Sequence, residues 1–214
     1  MTLLRRLLTS VSGASAAEFG LVLPLFLVML FAIIDGGRFM WEANEAEKAT
    51  QVGARVAIVT DVLSPGLRDE DYAGKVVGGV TLKSGDLIPA AALGSVKCTS
   101  TGCTCETAPC PASLGTMNAA AFTMLVTRMK QMYPAISDTN VVVRYQGSGF
   151  GFANADTGGG GGGATEQIEV SPLITVSLTG VQFHPVTILA LKSVTMPDVS
   201  TTLTAEDASG QYSN

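Results

Sequence analysis

Small side chains, a carboxylate and an apolar run follow one another near the N-terminus in an order that indicates proteolytic processing. Residues 13–17 are all small, Glu18 follows them, and an uncharged apolar run then extends to Ile34. A secretory signal carries its small-residue cleavage site after the apolar region, whereas here the small residues come before it. A cut between Gly13 and Ala14 would keep the apolar segment and leave Glu18 at its head. A charge within a bilayer costs about 2.5–3.5 kcal/mol on insertion scales, so this carboxylate needs a partner.

Four cysteines fall within a short segment of the chain, at Cys98, Cys103, Cys105 and Cys110. An even number of cysteines in an exported domain favours disulfide bonds, and four cysteines allow three pairings. The pairing that contains Cys103–Cys105 is disfavoured because its loop is short and strained, and the other two pairings stay open. The alternative is a four-thiolate metal site, but the spacing differs from the repeated C-x2-C of structural zinc. We therefore expect disulfides and no metal.

The sequence contains none of the residue patterns that carry common enzymatic chemistry. His184 is the single histidine, and no Ser-His-Asp order, nucleophile elbow or His-Glu-x-x-His motif accompanies it. The acidic run 69–71 lacks the glycine and the distal glutamate of a calcium-binding loop. The Gly-rich segment 147–163 is followed by Ala164 rather than by the lysine of a phosphate-binding loop. The absence of these patterns predicts that the protein is not an enzyme and has no cofactor.

The apolar run predicts a membrane-spanning helix. The 16 residues of 19–34 would cover about 24 Å as a helix, which is short of the roughly 30 Å hydrocarbon core. Extension to Trp41 is long enough, since Arg38 can reach outward to water and tryptophan suits the interface. Arg5 and Arg6 precede the run and predict a cytoplasmic N-terminus with the body exported. The simpler alternative is a plain signal anchor.

Beyond the apolar run the same helix becomes polar and carries a stripe of small residues. These recur at three- and four-residue steps and comprise Ala43, Ala46, Thr50, Gly53 and Ala57. A stripe of this kind lets another helix or a sheet approach closely. The alternative interpretation is an Ala-rich helix without a packing role. We favour packing because the stripe continues for several turns.

The remaining chain predicts an α+β domain with a mostly antiparallel sheet. A helix is expected over 118–132, capped by Thr116, and residues 67–116 are expected to form short helices and loops. Alternating apolar residues predict strands within 141–145, 167–183 and 194–205. The expected organisation is a leader over 1–13, a long helix over 14–60 that crosses the membrane at about 19–41, and an exported domain over 61–214. That domain would contain the cysteine-rich segment 98–110 and a loop at 147–163.

The N-terminal quarter resembles a known family. The order Gly-x4-Glu-Phe, an apolar run with Leu-Pro-Leu, the segment 36–40 (Gly-Gly-Arg-Phe-Met) and the segment 53–55 (Gly-Ala-Arg) resemble the TadE-like pseudopilins. These belong to the Tad (tight adherence, or Flp) pilus systems of bacteria. The resemblance covers about 13–57, whereas the rest of the chain agrees only in general layout.

The resemblance implies a type IV pilin-like architecture, with a long transmembrane helix packed on the sheet, and the function of a minor pseudopilin in surface adherence. It implies processing between Gly13 and Ala14 by a prepilin peptidase, and subunit pairing through Glu18 and Phe19. The implied partners are other Tad pilins and pseudopilins, an inner-membrane assembly platform and membrane lipid. The implied location is the inner membrane, with a single pass and the C-terminal domain in the periplasm or in a pilus.

Two other functions fit the same residues. One is a membrane-anchored exported binding or adhesion domain without a pilus role, and the other is an anchored envelope hydrolase. Nucleic-acid binding is not expected, since the formal net charge is −5 and no basic cluster is present.

Overall fold

The computed structural model of the chain describes residues 13–153, 168–186 and 192–205. It divides into two compact units. The first contains the chain up to Glu42 together with Gln182–Thr195, and the second contains Ala43–Val181 and the chain from Met196 onward. The predicted leader falls almost wholly outside the described residues, as do positions 154–163 of the predicted Gly-rich loop.

The longest element is helix α1, Ala14–Val59. It continues without interruption through Pro24, although proline cannot donate the backbone hydrogen bond of its turn. Apolar side chains from Phe19 to Ile34 are exposed on the first part of the helix. Among the described residues, α1 is the one helix long and apolar enough to cross a membrane. The predicted long N-terminal helix is confirmed.

The first unit adds a short antiparallel hairpin to α1. Its strands are β7, Gln182–Phe183, and β8, Val194–Thr195, and Phe183 pairs with Val194. Residues 187–191, which connect the strands, lie outside the described part of the chain. The hairpin contacts the helix just beyond Ile34, as described below.

The second unit is built on an antiparallel sheet of five described strands in the order β4-β3-β5-β6-β9. Every neighbouring pair runs antiparallel, which confirms the predicted α+β class with a mostly antiparallel sheet. The central strands are rich in β-branched residues, which fit a pleated, buried surface. The strand bounds are β3 Ser95–Thr99, β4 Gly102–Thr107, β5 Val141–Gln146, β6 Leu173–Leu178 and β9 Val199–Thr204.

The described part of this unit also contains two α-helices, α2, Pro65–Arg68, and α3, Ala119–Met132. The predicted cap of α3 was wrong, because Asn118 rather than Thr116 occupies that position. The side-chain oxygen of Asn118 accepts a hydrogen bond from the Ala121 N–H at 3.1 Å, which satisfies a backbone donor that the first turn leaves unpaired.

The segment before α3 contains more strand than the sequence indicated. Strands β3 and β4 form a hairpin within the stretch expected to be short helices and loops. The other elements there are small: β1 Val76–Val77, β2 Val80–Thr81 and the 3-10 turn Ala90–Ala92. Pairing of β3 with β5 holds the hairpin in the sheet, and such pairing between distant segments leaves little local sequence signal.

Candidate membrane-anchoring and assembly segment

The N-terminal segment presents its predicted processing and pairing residues at the start of α1. Gly13 is exposed and directly precedes Ala14, the first residue of the helix. Glu18 and Phe19 lie one turn further on and are both exposed. The segment can therefore offer a peptide bond to a peptidase and a carboxylate to another subunit. Whether it does so stays a prediction.

Polar residues on one face of α1 mark the end of its apolar part. Asp35 is 8% exposed although it follows the apolar run directly. Its Oδ1 accepts a hydrogen bond from the Val186 N–H at 3.0 Å and lies 3.5 Å from Arg38 Nη1. Arg38 Nη2 in turn lies 3.4 Å from Glu42 Oε1. Arg38 thus forms ion pairs with both carboxylates within the same unit.

Aromatic contacts reinforce this docking of the β7–β8 hairpin. The rings of Phe39 and Phe183 meet edge to face, with centroids 5.4 Å apart. The guanidinium carbon of Arg38 lies 5.5 Å from the centroid of the Phe183 ring, a favourable cation–π arrangement. Neither Asp35 nor Phe183 was predicted from the sequence. The i, i+3, i+4 spacing of Asp35, Arg38 and Phe39 was the one local signal that they share a face.

The predicted helix-packing residues lie in the second unit. Ala46, Gly53 and Ala57 are buried, whereas Ala43 is half-buried. A Cβ atom built on Gly53 would stand 2.8 Å from Met129 Sδ and 3.1 Å from Val176 Cγ1. Because α3 and strand β6 come this close to α1, position 53 has no room for a side chain larger than the hydrogen of glycine.

A polar contact between α1 and the sheet accompanies the small residues. The hydroxyl groups of Thr50 and Thr201 share a hydrogen bond with 2.9 Å between the oxygens. Thr50 is fully buried, and its hydroxyl also donates a hydrogen bond to the Glu47 carbonyl oxygen at 2.7 Å, so the two contacts together satisfy this buried group.

The cysteines form two disulfides, Cys98–Cys103 and Cys105–Cys110, with Cα atoms 4.0 and 6.0 Å apart. The predicted disulfides are confirmed, and the structure decides between the two pairings that the sequence left open. Cys98 and Cys103 face each other across β3 and β4. The second bond ties the end of β4 to the segment that follows it.

An ion pair between Glu106 and Arg144 lies beside the cysteine hairpin and lowers the pKa of the glutamate. Arg144 Nε donates a hydrogen bond to Glu106 Oε2 at 2.9 Å, and Ser95 Oγ donates to the same oxygen at 3.1 Å. The hydrogen bond from Arg144 is the main cause that lowers the pKa of Glu106, and the one from Ser95 and the charges of Arg144 and Lys97 act in the same direction. The pair joins β4 to β5 across β3.

Burial changes the pKa values of two tyrosines, Tyr72 and Tyr145. Burial raises the pKa of Tyr145 strongly, although the Leu63 N–H donates to its hydroxyl oxygen at 3.1 Å. Burial, with a smaller effect of the Glu169 charge, raises the pKa of Tyr72 to about 12.

Within the described residues no group of three or more His, Cys, Asp or Glu side chains could hold a metal ion. His184 is exposed.

Comparison with known proteins gives one family match, and it covers the N-terminal segment described above. The family described as TadE-like protein matches residues 13–55. No curated protein and no solved structure gives a significant match to the chain. The matched residues begin at the predicted processing site and end within the small-residue stripe. Residues 13–55 are therefore similar to the TadE-like family.

Proposed function

We propose that the chain is a minor pseudopilin of a Tad-type pilus. In this proposal a prepilin peptidase removes the leader on the cytoplasmic side of the inner membrane. The apolar part of α1 then holds the protein in that membrane, with the α+β domain in the periplasm. From there the protein meets the assembly platform and joins, or primes, a pilus made of other Tad pilins that serves surface adherence.

One observation carries the proposal. The TadE-like match covers the stretch in which Gly13 lies directly before an unbroken, exposed apolar helix. Soluble domains rarely expose a contiguous apolar surface of this extent, so the helix surface has to be covered by lipid or by other helices. A pilus subunit meets both conditions, because lipid covers its helix in the membrane and the helices of other subunits cover it in the fibre.

The experiment that tests processing is the determination of the mature N-terminus. Protein extracted from membranes should begin at Ala14, and Gly13→Val should keep the full-length N-terminus because its branched side chain fills the space beside the bond. Gly20→Val is the matched control, since a Cβ there meets open space and lies beyond the cut. An N-terminus at Met1 in the unaltered protein would contradict the proposal.

Glu18 gives a second test, directed at assembly. By helical rise Glu18 lies about 6 Å along the helix axis from Ala14, which would carry the new amino group, and pairing with an ammonium would satisfy both groups in hydrocarbon. Glu18→Gln should be cleaved and inserted normally yet lose co-purification with other pilins. Glu47→Gln, an exposed position on the same helix outside the apolar run, should retain it. Undiminished association of Glu18→Gln would reject the pairing role.

A further inference from the structure

The two disulfides differ in the surroundings of the sulfur that each would release on reduction. Thiol–disulfide exchange begins when a thiolate attacks one sulfur of the bond, and the other sulfur then leaves as a thiolate. Each bond has one sulfur nearer the surface, since Cys103 is half-exposed and Cys105 is exposed. Attack from solvent at these sulfurs would release Cys98 from the first bond and Cys110 from the second.

Cys98 lies in apolar surroundings and is a poor leaving group. It is 0% exposed, and it shares the core face of β3 with Val96, which is also fully buried. Val143 lies directly opposite Cys98 on β5 and is equally buried. A thiolate formed among these side chains would lose its hydration, so burial disfavours its release. The first bond should therefore resist exchange while the sheet is intact.

Cys110 lies in polar surroundings and is a better leaving group. It is half-exposed and lines a cavity of about 200 Å³, which also contains the ion pair of Glu70 and Lys75. A thiolate released here would stay hydrated and close to charged groups. Once it is protonated, the thiol can donate a hydrogen bond to the Thr107 carbonyl oxygen, which lies 3.3 Å from Cys110 Sγ. The site can therefore hold the reduced cysteine without a change of fold.

Other contacts keep the segment around the second bond in place. The Gly94 N–H donates a hydrogen bond to the Pro109 carbonyl oxygen at 2.6 Å, one residue before Cys110. On β4, Glu106 is paired with Arg144 at 2.9 Å, one residue after Cys105. Opening of the second bond leaves both contacts intact. Its reduction therefore does not require the domain to unfold.

We propose that the Cys105–Cys110 disulfide is a reversible exchange site on the folded domain, with a dithiol oxidoreductase as its partner, and that Cys98–Cys103 is a structural bond. A thiolate of the partner attacks Cys105 Sγ, the bonding electron pair leaves with Cys110 Sγ, and the resulting thiolate takes a proton from water. The partner's second thiol then loses its proton, attacks the partner's sulfur in the mixed disulfide and releases Cys105 as a thiolate, which is protonated in turn. The domain gains two electrons and two protons, and the partner's dithiol becomes a disulfide.

The proposal rests on the proposed function only in placing the domain in the periplasm, where the partner would also have to be. The exchange chemistry depends on the sheet and the cavity alone. Its test therefore uses purified protein, and a failed pilus assignment would leave the result unchanged.

The test compares how fast the two disulfides of the full chain are reduced in detergent. Reduced thioredoxin is the protein probe and dithiothreitol is the small one. The reaction is stopped with acid at successive times, and free thiols are then alkylated in denaturant and located by mass spectrometry. Cleavage after Glu106 separates Cys110 from the other three cysteines, so labels at Cys110 and Cys98 report on different bonds. The double variant Cys105→Ser/Cys110→Ser, which keeps the first bond alone, is the matched control.

We expect Cys110 to be labelled about tenfold or more faster than Cys98 in the folded chain with either probe. The two rates should converge when dithiothreitol acts in guanidinium chloride, where water surrounds every sulfur. Equal rates in the folded chain, faster labelling of Cys98, or failure of thioredoxin to reduce the second bond would overturn the proposal. Reduction of the control variant by thioredoxin would do the same. A difference that persists in the denaturant would overturn the role given to the surroundings of the leaving sulfur.

Circular dichroism shows whether the exchange takes place on the folded domain. After reduction by thioredoxin the spectrum of the sheet should be unchanged, because the pairing of β3 with β5 and the contacts of Gly94 and Glu106 remain. Loss of that spectrum in step with the labelling of Cys110 would show that reduction requires unfolding, and it would overturn the proposal.

Discussion

Substitution of Gly53 by alanine tests how closely α1 approaches the rest of the second unit. The added Cβ would stand 2.8 Å from Met129 Sδ, 3.0 Å from Met129 Cγ and 3.1 Å from Val176 Cγ1. Met129 and Val176 are both fully buried, so neither side chain has solvent into which it can turn. Something in the contact must therefore move when the methyl group is added.

Two opposing effects set the size of the change. Replacing a helical glycine by alanine gains about 1 kcal/mol of helix propensity, whereas overpacking a well-filled core costs about 1–3 kcal/mol. Gly36 lies in the same helix, and a Cβ there meets open space, so Gly36→Ala has the propensity gain without the clash. We expect Gly53→Ala to be less stable than Gly36→Ala by about 1–3 kcal/mol, the cost of overpacking alone.

Thermal unfolding of the full chain in detergent, followed by near-ultraviolet circular dichroism, measures this difference. At this chain length each 1 kcal/mol corresponds to about 2–4 °C in Tm. The double variant Gly53→Ala/Met129→Ala removes both methionine atoms of the clash, so Gly53→Ala should cost at least about 0.5 kcal/mol less in that background. Equal Tm values for Gly53→Ala and Gly36→Ala would refute the close approach inferred from the structure.

Two further predictions concern the cysteine hairpin. Native protein should show no reactive thiol in a thiol titration, and Cys105→Ser/Cys110→Ser should lose about 2 kcal/mol of stability in denaturant unfolding, because the closed loop is short; thiol reactivity in the unaltered protein would contradict this. The lowered pKa of Glu106 contributes stability that is present above its unfolded pKa and is lost as the pH falls through the lower folded value. Glu106→Gln should therefore flatten the acid limb of a Tm-against-pH curve, by a small amount because the pair with Arg144 is solvent-accessible, and an unchanged acid limb would count against the pair.

The elements that the sequence predicted well are those specified by neighbouring residues. The α3 helix was expected over 118–132 and spans Ala119–Met132, because its apolar residues repeat with the helical period. Its cap was assigned to Thr116 rather than Asn118, since both residue types accept the same hydrogen bond and only the backbone bend selects between them. Strands β5, β6 and β9 were expected near their observed places because β-branched residues alternate there.

The cysteine hairpin shows the limit of such reasoning. Strands β3 and β4 carry threonine, glycine and cysteine without a clear period, and β3 is held by its pairing with β5, about 45 residues away. The disulfide pairing depends on that register, which places Cys98 opposite Cys103. The sequence could therefore exclude one pairing by loop strain but could not choose between the other two.

The sequence by itself determined the N-terminal segment of this protein: the small residues before an apolar run, the glutamate at its head, the helix that follows and the TadE-like resemblance. These features depend on covalent order and on hydropathy, which are local properties. Only the tertiary structure decided that Asp35 is buried, that Val186 donates to it, and that Met129 and Val176 close around Gly53. Those contacts join residues far apart in the chain, and their energies depend on shape and distance, which no local pattern of residue types records.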